Sequence, residues 1–263
     1  MTKKLLVTGG AGYLGSELVR RAVDAGWDVR ATWFDREPRD AAAEWIQLDV
    51  RDAGDVRRAV AGVDCVVHTA YRFGGPDLAS TNVRGAETVA RAARAARLVH
   101  VSTDLVFDGT HGCYGEEDEP RPVNEYGRAK ADAERRVAAA HPGALIVRTS
   151  LLYGAEEPGP QERLVRSGHA EFFVDEIRSP VHVGDLADAL VELAVRTESG
   201  PLHLGGADDV SRYELALLLG ADPVLVRRAH TTPERAPNVS LDSSRARTLL
   251  RTRLRGVREV LGG

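Results

Sequence analysis

Cysteine is almost missing from this chain of 263 residues: Cys65 and Cys113 stand alone, with no CxxC neighbour. That excludes a disulfide framework or a thiolate zinc site and suits a reduced, cytoplasmic protein. No apolar run approaches the ~20 residues needed to cross a bilayer. The opening MTKKLLVTGG has too short an apolar stretch for a secretory signal. Surplus basic charge is absent too. Lysine and arginine number 35 against 39 acidic residues, a net charge of −4, so neither nucleic acid nor an anionic membrane is favoured as a partner. The eight histidines are scattered without metal-ligand spacing, and no metal site is expected.

What is present is ordinary for one large globular domain: 43% apolar and 28% charged residues. Short apolar runs (LLV, CVVH, LVHVS, LIVR) alternate with helical periods. Strands are predicted over 4–8, 29–34, 45–48, 64–68, 98–102 and 144–149, and helices over 13–25, 53–61, 76–96 and 124–140. Strand–helix alternation with strands apolar throughout implies a doubly wound parallel-sheet Rossmann fold, class α/β. Residues 1–150 read as a dinucleotide-binding core. Residues 151–263 read as a mixed segment, mainly a small substrate lobe with elements returning to the core. In it, 172–177 and 202–204 suggest strands, 186–195, 213–219 and 243–250 suggest helices, and 155–171 is a Glu/Pro/Gly-rich loop.

Between the first strand and first helix lies Thr8-Gly9-Gly10-Ala11-Gly12-Tyr13-Leu14-Gly15. Glycines at 9, 12 and 15 match the demands of a dinucleotide loop: a tight turn, backbone approach to a pyrophosphate, and close helix–strand packing. The helix N-terminus supplies free N–H groups to the phosphates. At the end of the second strand the ribose-reading position falls at Thr32 or Trp33, neither acidic, with Asp35 late and Arg36 placed for a 2′-phosphate. NADP(H) is therefore expected in preference to NAD(H). Asp49 either accepts from the adenine amine or caps the next helix, with Asp52 competing for the cap.

Tyr126 and Lys130 stand at i and i+4, which stacks them on one helix face. A phenol near its usual pKa of ~10 is a poor acid–base group at neutral pH, and a neighbouring cation lowers that value. Thr103, at the end of the fifth strand, is the candidate to hydrogen-bond a substrate carbonyl, with Ser102 in reserve. Trp27, Trp33 and Trp45 read as packing, and His203 as structural.

In this order, TGGAGYLG, Asp49-Val50, His68-Thr69-Ala70, Asn82, STDLVFDG and YGRAK resemble the extended short-chain dehydrogenase/reductase family along the whole chain. Segments 102–109, 120–130, 147–154, 179–187 and 237–242 resemble its sugar-nucleotide reductases. The resemblance implies a Thr103–Tyr126–Lys130 triad. It implies cofactor contacts at Gly9, Gly12, Tyr13, Leu14, Gly15, Arg36, Asp49, Val50, Thr69, Ala70 and Lys130, and substrate contacts at Thr103, Asp104, Tyr126, Ser150 and His182. The implied reaction is reduction of a ketone, on a nucleotide-activated 4-keto-6-deoxysugar, and the implied assembly a homodimer through helices 76–96 and 124–140. An epimerase and a non-catalytic dinucleotide-binding regulatory subunit are the alternatives on this scaffold. Leu105 after Asp104 argues against a dehydratase, whose acidic pair would occupy both positions. The segment around Arg178 and His182 departs from the sugar enzymes.

Overall fold

The computed structural model describes residues 2–38, 43–224 and 226–262. Its central sheet has seven strands: β1 (Lys4–Thr8), β2 (Asp28–Trp33), β3 (Glu44–Gln47), β4 (Cys65–His68), β5 (Arg97–Thr103), β6 (Leu145–Thr149) and a last strand, Gly200–Leu204. The order across the sheet is Gly200–Leu204, β6, β5, β4, β1, β2, β3. The pairings from β3 through β2, β1 and β4 to β5 are parallel. Every residue of β4 and β6 is buried, which is why those strands read as unbroken apolar runs rather than alternating ones. The strand order reverses at β1, and a crevice forms at such a reversal beyond the carboxyl ends of the strands.

Helices α1 (Tyr13–Asp24), α2 (Ala53–Val60), α3 (Ala86–Ala92) and α4 (Glu125–Ala140) follow β1, β3, β4 and β5. One core joins Leu6, Val66 and Leu98 of the sheet to Val56 and Val60 of α2, Val89 of α3 and Val137 of α4. Each fully buried valine or leucine contributes about 1.5–3 kcal/mol. The helix predicted over 76–96 is shorter than expected. A π-helical turn, Ser80–Gly85, precedes α3, and the α-helix ends at Ala92. The turn carries buried Asn82, whose Oδ1 accepts from Arg72 N–H (2.8 Å) and whose Nδ2 donates to the Arg72 carbonyl (2.8 Å).

The chain divides into two compact units that interleave along the sequence. One comprises the residues up to Ser102, Ala129–Val147 and Ala187–Pro201; the other comprises Thr103–Arg128, Arg148–Leu186 and the residues from Leu202 onward. The second unit holds α5 (Pro160–Arg166) inside the segment expected to be loop, with Pro160 in its first turn. It also holds the start of α6 (Val183–Leu193), and α7 (Arg212–Leu218), α8 (Ser244–Leu249) and α9 (Val257–Leu261). The strand predicted over 172–177 is two strands: Glu171–Phe173 pairs with Arg227–Ala229, and Ile177–Arg178 pairs with Val210–Ser211. Tyr153, Val210, Leu215 and Val257 pack as a core of this unit. Among the described residues no helix is long and apolar enough to cross a membrane. Both cysteines are free thiols; burial pushes the Cys65 thiol up to about 12, and Cys113 is exposed.

Candidate active site

In the first unit the strand ends enclose a cavity of about 240 Å³, lined by Gly9 and Gly12 after β1, Thr32–Arg36 at β2, Asp49–Arg51 after β3 and Thr69–Arg72 after β4. The loop geometry fits a dinucleotide. Gly9 has φ +74, and a Cβ there would lie 2.7 Å from the Ala70 backbone; at Gly15 it would lie 2.1 Å from the Gly9 carbonyl. Thr69 Oγ1 donates to the Thr8 carbonyl at 2.8 Å and ties the β4 end to β1. Tyr13 and Leu14 open α1, Leu14 buried, and Gly12 before them gives no side-chain cap, so the first-turn N–H groups have no side-chain cap competing with a phosphate.

Arg36 lines the cavity, and two arginines that the sequence reading passed over join it. Arg72 pairs with Asp35 at 2.5 Å, and Arg51 bonds Asp49 at 2.9 Å and Asp77 at 2.6 Å. Both guanidiniums lie 5.9 Å from the Phe34 ring centre. The hydrogen bonds from Arg51 hold the Asp49 carboxyl below the usual range. The cap belongs to Asp52, which accepts from Gly54 N and Asp55 N at the start of α2. Trp33, read as packing, also lines the cavity.

Lys130 is 3% exposed, and its Nζ donates to the Val101 carbonyl at 2.7 Å. Burial, only partly offset by Glu134, brings its ammonium down to about 8. In the same unit, β-sheet register sets Thr8 beside His68 and His68 beside His100. Thr8 Oγ1 and His68 Nδ1 are 2.6 Å apart, and the two imidazoles stack at 5.2 Å. Burial, reinforced by the Lys130 charge, keeps His68 neutral, with its value lowered to about 3. Ser102, the reserve hydroxyl, is buried with no hydrogen-bond partner among the described residues.

Tyr126 stands on the first turn of α4, one turn before Lys130. Asn124 Oδ1 accepts from Gly127 N–H at 2.8 Å and caps the helix. A Cβ on Gly127 would lie 2.1 Å from the Leu105 carbonyl. Only glycine lets this turn sit so close to the segment following Thr103. In that segment Thr103 Oγ1 lies 3.1 Å from Asp104 Oδ1 and 3.2 Å from Leu105 N. Asp104, 0% exposed, also binds Ser150 Oγ at 2.6 Å and Arg178 Nε at 2.7 Å, with Arg178 Nη2 on its other oxygen. Thr103, Asp104 and Ser150, all expected at the substrate, are thus joined, and Arg178 joins them through a contact spanning 74 residues. Behind Arg178, Glu176 takes Arg235 at 2.5 Å and lies 3.6 Å from Arg212. At His182, also expected at the substrate, Nδ1 accepts from Gly184 N–H at 3.2 Å, and the ring meets Tyr153 edge-on at 5.7 Å. His203 is structural as expected, buried with Nδ1 3.0 Å from the Tyr114 carbonyl.

The family model described as RmlD substrate binding domain matches residues 3–259. The chain is 33% identical to dTDP-4-dehydrorhamnose reductase of Mycolicibacterium smegmatis, over 99% of this chain and 84% of that one. Its fold is similar to that of DesIV, a dTDP-glucose 4,6-dehydratase from Streptomyces venezuelae solved with NAD and TYD. There the TM-score is 0.84 at 26% identity, covering 96% of this chain and 92% of that one. It is also similar in fold to dTDP-4-dehydrorhamnose reductase from Bacillus anthracis solved with NADP, with TM-score 0.82 at 23% identity, covering 100% and 98%.

Proposed function

Since this chain belongs to the RmlD substrate binding domain family, we propose that it reduces the ketone of a nucleotide-activated 4-keto-6-deoxysugar. It is a nicotinamide-dinucleotide oxidoreductase of the extended short-chain dehydrogenase/reductase type. The observation that carries the reading is α4, which bears Tyr126 and, one turn on, Lys130 with its ammonium buried and anchored to the Val101 carbonyl.

The dinucleotide supplies the hydride when bound. The glycine loop and the uncapped start of α1 hold its phosphates. Tyr126 gives its phenolic proton to the ketone oxygen. Lys130 lowers the cost of the resulting phenolate and orients the ribose. Thr103, Asp104 and Ser150 line the substrate position. Arg36 favours NADP(H) over NAD(H): it lines the cavity where a 2′-phosphate would lie, while Arg72 is engaged by Asp35 and Arg51 by Asp49 and Asp77. Asp35, the carboxylate that would repel a 2′-phosphate, is engaged by Arg72. A homodimer through α3 and α4 belongs to the same reading, and light scattering on the eluted protein decides it.

The test is titration with NADPH and NADH, then NADPH oxidation in the presence of dTDP-4-dehydrorhamnose. Tighter NADPH binding that Arg72→Ala weakens, together with turnover, is the expected result. Binding without turnover of any sugar-nucleotide ketone sinks the substrate assignment, and equal affinity for the two cofactors sinks the preference.

A further inference from the structure

Four buried polar atoms of the first unit have no partner among the described residues: His68 Nε2, both ring nitrogens of His100, and Ser102 Oγ. His68 and His100 are 1% exposed and Ser102 4%. All three sit in one layer. His68 lies beside His100 in the sheet register, and Leu98, His100 and Ser102 share a face of β5 because side chains alternate along a strand. Leu98 shares a core with Ala133 and Val137 of α4. Lys130 precedes Ala133 by one turn and Val137 by two, on the same stripe of the helix. Its Nζ reaches the carbonyl of Val101, the residue between His100 and Ser102. Thr8, His68, His100, Ser102 and Lys130 all belong to the first unit.

An ammonium carries three N–H donors and no acceptor. The Val101 carbonyl takes one donor of Lys130, and bulk solvent barely touches this side chain. Buried polar groups left unpaired destabilise a fold, and a polar chamber with about two to four converging partners holds ordered water. The chemistry of this layer suits water beside a cation. Burial, reinforced by the Lys130 charge, keeps both imidazoles neutral, so each retains one acceptor nitrogen. Thr8 Oγ1 engages His68 Nδ1 at 2.6 Å, which leaves Nε2 for another partner. A water oxygen can take a proton from Lys130 and turn its own two protons to His100 and Ser102.

We infer that His68, His100 and Ser102 form a binding site for ordered water between the sheet and α4, and that this water solvates the Lys130 ammonium. His100 and Ser102 are positioning residues that act through Lys130. The site holds a charge in place where bulk solvent is shut out, and Ser102 serves the lysine rather than the ketone. The groups that bear on the Lys130 proton are Glu134 one turn on and Tyr126 one turn back along α4, His100 on β5 and His68 on β4. β1 adds the uncharged Thr8, and α3 brings the apolar Ala86, Val89 and Ala90 to this core. Removing the water's partners disfavours the ammonium and lowers the pH at which Lys130 releases its proton.

Two measurements test this without substrate. A crystal structure of the full chain, at a resolution that shows ordered water, is expected to place a water within about 3.2 Å of Lys130 Nζ and of Ser102 Oγ or a His100 ring nitrogen; no water there overturns the inference. The second uses the scarcity of lysine: Lys3, Lys4 and Lys130 are the whole set, so isotope-labelled lysine gives a titration by NMR that can be assigned. Ser102→Ala and His100→Phe are expected to lower the Lys130 titration by about half a unit or more, roughly a threefold loss of proton affinity. Val89→Ala, which loosens the same core and removes no polar group, is expected to leave it in place. An unmoved titration in Ser102→Ala, or an equal move in Val89→Ala, overturns the inference. If His100→Phe fails to fold by circular dichroism, Ser102→Ala carries this arm. The catalytic consequence rests on the ketone reduction proposed above. With NADPH and dTDP-4-dehydrorhamnose, the pH at which kcat changes is expected to fall together with the Lys130 titration; a kcat profile that stays put while the titration moves overturns the positioning role. Absence of turnover refutes the reduction itself, and the crystal and NMR outcomes then decide the water site.

Discussion

Lys130 combines a full charge with a site that excludes water. An unfolded lysine titrates near ~10.4, whereas burial brings Lys130 down to about 8. Between those values the unfolded chain holds a proton that the folded chain has shed. Stability therefore rises with pH through that window, and below about 8 the folded state bears the whole cost of the buried ammonium, on the order of 3 kcal/mol. Lys130→Met removes the effect. Urea unfolding of both proteins without cofactor, from neutral pH to about pH 10, is expected to show the wild type gaining on the variant as pH rises; parallel curves would contradict the buried charge. At Tyr126 the change is purely chemical. Tyr126→Phe is expected to lower kcat by about 10²–10⁴, the usual worth of a positioned acid, with cofactor affinity held within a few-fold. A variant keeping more than about a tenth of the rate would remove Tyr126 from the proton transfer.

Among elements, α4 depends on one missing methyl group. Alanine normally improves a helix over glycine by up to ~1 kcal/mol. At position 127 the added Cβ meets a backbone carbonyl at 2.1 Å, and a backbone atom yields little. Gly127→Ala is therefore expected to destabilise by about 1–3 kcal/mol and to lower kcat more than it weakens NADPH binding. A variant as stable and active as the wild type would show that the helix start has slack. The sequence made α4 legible through its i, i+4 pair but offered no sign of this contact, because Leu105 and Gly127 are 22 residues apart and neither is unusual alone. The buried strands were legible almost residue for residue: β1 is Lys4–Thr8 in both readings. Two-residue strands such as Ile177–Arg178 left no periodicity to read, since their pairing partners lie far along the chain. The glycine loop could be seen because its determinants are local. The Asp104–Arg178 pair could not, although the segment around Arg178 and His182 departs from the sugar enzymes.

At the scale of the whole molecule, the chain leaves the first unit after Ser102, returns at Ala129, leaves again after Val147 and returns once more at Ala187. A fragment of residues 1–150 therefore lacks Ala187–Pro201, which belongs to the first unit, and carries Thr103–Arg128, which belongs to the second. Such a fragment is expected to give no cooperative unfolding transition by circular dichroism and no NADPH binding; a sharp transition would show that the first unit is autonomous. The segments lining the cavity at the strand ends lie early in the sequence, and the residues around Asp104 come from three separate stretches, at 103–104, 150 and 176–178. This weave limits how such a protein can be rebuilt by evolution or by hand. A crossover between codons 81 and 103 exchanges the cavity-lining segments and keeps the residues around Asp104, but it cuts the first unit, whose core still needs Ala129–Val147 and Ala187–Pro201 from the other parent, so a grafted half succeeds only where it matches that core.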